Sequence, residues 1–265
     1  MKALHPLLVA AALVLAAPSA MAVSTFYLND NTDPGACTQD GANANAAGNQ
    51  YTCSMQGSSA DELAVRAYAN TGSGAKFAAA RVGDYGGGFG VTSGTESHGS
   101  SPEHGMDNNV NIEGLLLNFD ASFALTSLQA GWWNTDSDVT LLAWTGLGDP
   151  TAALTGATTA TLSGSGWSRG GGYPNIEPNV TNVNAGLISS SYWLVTAYNS
   201  TFGGGQGWTA GNDYVKLKMV SGNFTCVHSN DPGCNNNQAP QPTSLALVGA
   251  ALLGTYGLRR RRRDA

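Results

Sequence analysis

Through the middle of the chain, apolar positions recur at the period of strands, in short runs separated by turn residues. The clearest run is Tyr214–Val220. It places Val215, Leu217 and Met219 on one face and Lys216 and Lys218 on the other, the alternation of a half-buried strand. Ser221-Gly222-Asn223 then reads as a turn into Phe224–Val227, which predicts a hairpin. The runs Leu63–Tyr68, Phe77–Val82, Gly114–Phe119, Leu125–Trp133, Val139–Trp144, Ala160–Ser163 and Tyr192–Tyr198 have strand length, with Gly, Asn, Ser and Asp in the gaps. No part of this body sustains a helical period beyond about ten residues. The predicted class is therefore all-β, an antiparallel, jelly-roll-like β-sandwich.

The two ends follow other patterns. Met1-Lys2, the apolar stretch Leu7–Ala17 and the small-x-small triplet Ala20-Met21-Ala22 form a signal peptide over residues 1–22, with signal peptidase cutting after Ala22. The last 31 residues carry four features in order: a polar spacer (Asn235–Gln238), Pro240-Gln241-Pro242, an apolar run from Leu245 to Leu258, and the cluster Arg259, Arg260, Arg261, Arg262 and Arg263. A helix from Thr243 to Leu258 would be about 24 Å long, slightly short of a ~30 Å hydrocarbon core, and arginine stems reaching back to the interface make up the difference. Leu245, Leu247, Val248, Leu252, Leu253 and Leu258 form its membrane-facing surface. The positive-inside preference keeps the arginines cytoplasmic and leaves everything before Pro240 across the inner membrane. The expected organisation is a signal peptide (1–22), a surface domain (23–228), a polar linker (229–239) and a tail (240–265).

Composition sharpens this picture. Only 11% of residues are charged, and five of the twelve basic residues sit in the terminal cluster, which excludes a nucleic-acid partner. Setting aside the signal peptide and tail leaves six basic and seventeen acidic residues, a formal charge of about −11. Such a body stays soluble and is compatible with divalent ions. The four cysteines fall into two local pairs, Cys37 with Cys53 and Cys226 with Cys234. In an oxidising compartment local disulfides are the simplest of three connectivities, and no Cys-x-x-Cys spacing suggests zinc.

Several constellations carry candidate chemistry. Asp107, Asn108, Asp136 and Asp138 are oxygen donors suited to calcium, although Asp136-Ser137-Asp138 also reads as an ordinary turn between strands. His98, Glu103, His104 and Asp107 lie close together in sequence but lack the His-Glu-x-x-His spacing of a hydrolytic zinc centre, and Pro102 and Gly105 would break a helix there. Trp167 and Tyr173 flank one Gly-rich segment and Trp208 ends another, an arrangement in which exposed rings could stack on sugars. Gly86–Gly90 lacks the Lys-Ser or Lys-Thr of a phosphate loop, no serine-nucleophile elbow occurs, and the carboxylates form no evident catalytic pair. The expectation is a body without catalytic residues and with no cofactor other than calcium.

The order of features from Pro240 to Arg263 resembles the PEP-CTERM sorting signal of Gram-negative, exopolysaccharide-producing bacteria, with Gln241 standing where that motif has Glu. The resemblance implies recognition by an exosortase after transient residence in the inner membrane. The segment Asp84–Trp144 resembles the body of a PEP-CTERM subgroup, the exosortase-dependent surface proteins. It does so through Gly86-Gly87-Gly88-Phe89-Gly90-Val91, Pro102–Asn108, Leu115–Asp120, Gly131-Trp132 and Asp136-Ser137-Asp138. Together these imply an exported, non-enzymatic protein of the cell surface, extracellular matrix or biofilm, associated with exopolysaccharide. A carbohydrate-binding module using Trp167, Tyr173 or Trp208 is the second reading, and a matrix glycoside hydrolase the third.

Overall fold

The computed structural model describes residues 23–29, 36–40, 45–58, 61–94, 96, 101–205 and 207–225. Their strands, in chain order, are β1 (Ser24–Tyr27), β2 (Cys37–Gln39), β3 (Gln50–Ser54), β4 (Asp61–Gly72), β5 (Lys76–Asp84), β6 (Phe89–Thr92), β7 (Met106–Asp107), β8 (Glu113–Thr135), β9 (Val139–Trp144), β10 (Trp167–Tyr173), β11 (Thr181–Asn182), β12 (Ser190–Ala197) and β13 (Asp213–Phe224). A single turn of helix, α1 (Thr151–Gly156), and a 3-10 segment, Thr159–Ser165, separate β9 from β10. The all-β class expected from the periodicity is present, and these strands pair antiparallel.

The sheet is organised around β8. The first half of this strand, Glu113–Phe119, lies between β4 and β12, and its second half, Phe123–Thr135, pairs with β13. β4 continues into β5 and β5 into β6, and β6 meets β13 where Phe89 faces Leu217. The path β8–β4–β5–β6–β13 therefore returns to β8 as a closed, barrel-like sheet. β12, β9 and β10 extend it from one edge of β8, and β3 and β2 extend it from β4.

The continuous apolar runs Leu115-Leu116-Leu117 and Leu141-Leu142-Ala143 mark strands covered on both faces. Leu115, Leu117, Leu141 and Ala143 enter the main core with Trp193 and Val195. Leu116, Leu142 and Leu194 turn to the opposite face, where Phe77, Trp167, Leu154 of α1 and Leu162 of the 3-10 segment cover them. Near the middle of β8 four rings pack together: Phe119 stacks on Phe123 at 4.1 Å, while Phe26 and Phe224 approach edge-on. Burying each ring contributes roughly 1.5–3 kcal/mol, so this cluster fastens β1 and the end of β13 to β8.

Four local expectations are corrected. Gly114–Phe119 and Leu125–Trp133 are two parts of one 23-residue strand. Ser221-Gly222-Asn223 does not turn the chain; β13 runs through it, pairing with Ser127, Leu125 and Ala124 across a bulge. Gly222 is required there because a Cβ would collide with the carbonyl oxygen of Ala124. Ala160–Ser163 is 3-10 helical instead of extended, because the N–H groups of Thr161 and Leu162 both turn back to the carbonyl of Thr158 and Leu162 alone is buried. Lys216, expected on the solvent face of β13, is 3% exposed. Its ammonium lies 4.3 Å from the centre of the Trp132 ring and donates to the Tyr85 carbonyl.

Cys37 and Cys53 face each other across the β2–β3 ladder and form a disulfide, the first of the two local pairs. Cys226 and Cys234 lie outside the described residues. So do residues 1–22, the 229–239 linker and the 240–265 tail with Pro240, Gln241, Pro242, its apolar run and Arg259–Arg263. Among the described residues no helix is long and apolar enough to cross a membrane. The Cys37–Cys53 bridge closes a loop of sequence separation 16. Replacing both cysteines with serine is expected to lower unfolding stability by about 2–3 kcal/mol in urea titration. An unchanged midpoint would show that the bridge constrains nothing.

Candidate functional site

The four expected calcium donors do not converge on one point. Asp107 ends β7, Asn108 follows it, and Asp136 and Asp138 lie in the link from β8 to β9. Two separate carboxylate groups result, one on either side of the Asp107–Asn108 step.

In the first group, Glu96, Glu103 and Asp107 bring carboxylate oxygens within 4.8 Å of one another. Asp107 is fully buried, whereas Glu96 and Glu103 are half-buried. The loop sets these positions through its own backbone: Glu96 accepts the Ser93 N–H at 2.7 Å, and Asp107 Oδ1 accepts the Asn109 N–H at 2.8 Å. Glu113, the first residue of β8, stands behind Asp107 and accepts its backbone N–H through Oε2 at 3.2 Å. Asp107 Oδ2 and Glu113 Oε1 are buried without a hydrogen-bond partner. Burial, followed by the charges of Glu96 and Glu103, pushes the Asp107 carboxyl up to about 8. Burial, followed by the charges of Asp107 and Glu96, raises Glu113 well above the usual carboxylate range.

The second group joins Asp136, Asp138 and Asp213, the first residue of β13, within the same spacing. Here the oxygens are largely engaged. Asp213 accepts the Asp138 N–H at 2.7 Å and an Asn108 Nδ2 proton at 2.6 Å; Asp138 accepts from Asn175, and Asp136 from Ser137 and Asn212. Asn108 Oδ1 accepts the backbone N–H groups of Gly211 and Asp213, so this side chain braces the loop before β13 and is not free to ligate an ion. Burial raises Asp213 to about 7 and also lifts Asp138.

Of the histidines in the 98–107 stretch, His98 lies outside the described residues. His104 stacks on Tyr85 at 4.6 Å and is absent from both carboxylate groups. Burial, then the charge of Lys216, lowers its pKa.

The Gly-rich aromatic segments also separate. Trp167–Tyr173, expected as a loop, is strand β10, and Trp167 is 1% exposed within the outer core, which corrects its proposed sugar contact. Tyr173 is half-buried and its hydroxyl is spent, donating to the Gly170 carbonyl and accepting from the Asn184 N–H. Trp208, like Tyr173, is half-buried. It meets Tyr198 edge-on at 5.1 Å and seats against the backbone of Gly172 and Gly205.

Sequence reasoning missed Glu96, Glu113 and Asp213 as site residues. Glu113 and Asp213 each begin a strand otherwise rich in apolar residues, and a carboxylate at the threshold of such a strand is the signal available in the sequence. Comparison with known proteins finds no match: no protein-family model, no curated protein and no solved structure matches the chain.

Asp107, Glu113, Asp138 and Asp213 all have native pKa values above those of the unfolded chain. Between about pH 4 and 8 the native state thus holds protons that the unfolded state has released, and stability falls as pH rises. His104 acts in the opposite sense, as one group against four. In chelator, the melting temperature is expected to be higher at pH 5 than at pH 8. A flat or rising profile would contradict protonated carboxyls in the native fold.

Proposed function

We propose that the chain is an exported, non-enzymatic surface protein of a Gram-negative bacterium. An exosortase processes it at the PEP-CTERM-like tail, and it enters the envelope or exopolysaccharide matrix. The observation that carries this reading is the fixed order of Pro240-Gln241-Pro242, apolar run and arginine cluster. The buried Cys37–Cys53 disulfide supports it, since such bonds persist in oxidising compartments. In this reading residues 23–228 form a jelly-roll-like sandwich whose two faces share β8, and the tail is a temporary anchor.

Mass spectrometry of protein recovered outside the cell is expected to show a new N-terminus at Val23 and a C-terminus near Pro240, without the arginines. Material carrying Arg259–Arg263 intact would overturn the reading.

A second reading, a carbohydrate-binding module, draws support from Trp208, whose partly open ring lies near the Arg169 guanidinium, both against Gly172. Saturable binding to the host's exopolysaccharide that falls at least tenfold in Trp208→Ala would favour it. Equal binding by the two proteins would remove it.

A further inference from the structure

The geometry points to a calcium site formed by Glu96, Glu103 and Asp107, with Glu113 at its floor. It is distinct from the Asp136, Asp138 and Asp213 group.

Spacing supplies the first argument. Two oxygens bound to one Ca²⁺ at about 2.4 Å lie no more than about 4.8 Å apart, and one oxygen from each of the three carboxylates satisfies that limit with respect to the other two. The second argument is independent of the cluster's acidity. Asp107 Oδ2 is enclosed in a side chain with no exposed surface and receives no hydrogen bond. A buried carboxylate oxygen left unpaired costs several kcal/mol, and native proteins almost always satisfy such atoms. In the neighbouring group the chain aims backbone and amide N–H groups at the carboxylates. Asp107 Oδ2 has no such donor, and a cation is the partner that would complete it.

Arrangement and charge select the ion. Asp107 and Glu113 are buried and Glu96 and Glu103 half-buried, so an ion would enter past the two outer glutamates and rest on the inner pair. Carboxylates from a loop, a short strand and the start of a long strand form an irregular set of hard donors. Ca²⁺ accepts six to eight oxygens in variable geometry, whereas Mg²⁺ demands a near-octahedral shell and gives up water reluctantly. A bound ion would tie Glu96 and Glu103 to β7 and β8.

The test is calorimetric titration of the chelator-treated protein with CaCl₂, with melting curves in parallel and MgCl₂ as comparison. The expected result is one tight equivalent of Ca²⁺, weaker Mg²⁺ binding and a melting temperature raised by several degrees. Glu103→Gln and Glu96→Gln alter half-buried side chains while keeping an oxygen acceptor of the same size, and each is expected to weaken binding at least tenfold. Asp107→Asn should abolish it, while Asp138→Asn should leave it unchanged. Failure of CaCl₂ to bind or to shift the melting curve would overturn the proposal. So would binding that survives both glutamate substitutions or is lost only in Asp138→Asn.

Discussion

The pairing of β8 holds the molecule together. A strand of 23 residues cannot stay flat against one layer, and here it serves two. Its first half is wedged between β4 and β12, with apolar side chains buried above and below. Its second half carries β13 along almost its whole length. Between them, around Asp120–Ser122, burial drops and the strand passes from one part of the sheet to the other. The ring of strands closes only because β8 contributes to both sides, and the Phe26, Phe119, Phe123 and Phe224 cluster locks the place where it crosses. Long-range pairings of this kind carry a loop-closure cost that the buried rings and leucines must offset.

The same geometry creates the acidic region. β7 and the start of β13 pair with one another, and the link from β8 to β9 folds against the start of β13, so the group of Asp107 and the group of Asp136, Asp138 and Asp213 form side by side although more than a hundred residues separate Asp107 from Asp213. The two carboxylate groups then differ in how they are solvated. Around Asp213 the chain supplies N–H donors from Asn108 and Asp138, and the group behaves as a structural knot. At Asp107 it leaves Oδ2 bare. Acidity is common to both groups, so the hydrogen-bond inventory is what separates a brace from an ion cradle.

Glycine and aromatic residues divide the remaining labour. Gly131 in β8 permits backbone contact with Gly87, which brings the Gly-rich turn before β6 down onto the sheet beside Trp132. Lys216 is trapped beneath that turn, its charge against the Trp132 ring and the Tyr85 carbonyl, and burial lowers its pKa. A side chain that alternation assigns to solvent is thereby drawn inward by partners from distant segments.

Several features were legible in the sequence itself. Short apolar runs bounded by Gly, Asn, Ser and Asp revealed the strands Leu63–Tyr68, Phe77–Val82, Val139–Trp144 and Tyr192–Tyr198, because runs of this length between turn residues suit a strand and are too short for a helix. Local cysteine spacing pointed to the Cys37–Cys53 bridge, since both residues belong to one short hairpin. Tertiary structure decided what depends on a distant neighbour. It determined that Ser221-Gly222-Asn223 stays extended because β8 remains alongside, that Trp167 is buried because α1 and the 3-10 segment fold over its face, and that Glu113 and Asp213 belong to acidic groups. Periodicity records which way a side chain points relative to its own backbone. What it meets there depends on loop closures that bring together residues far apart in the chain.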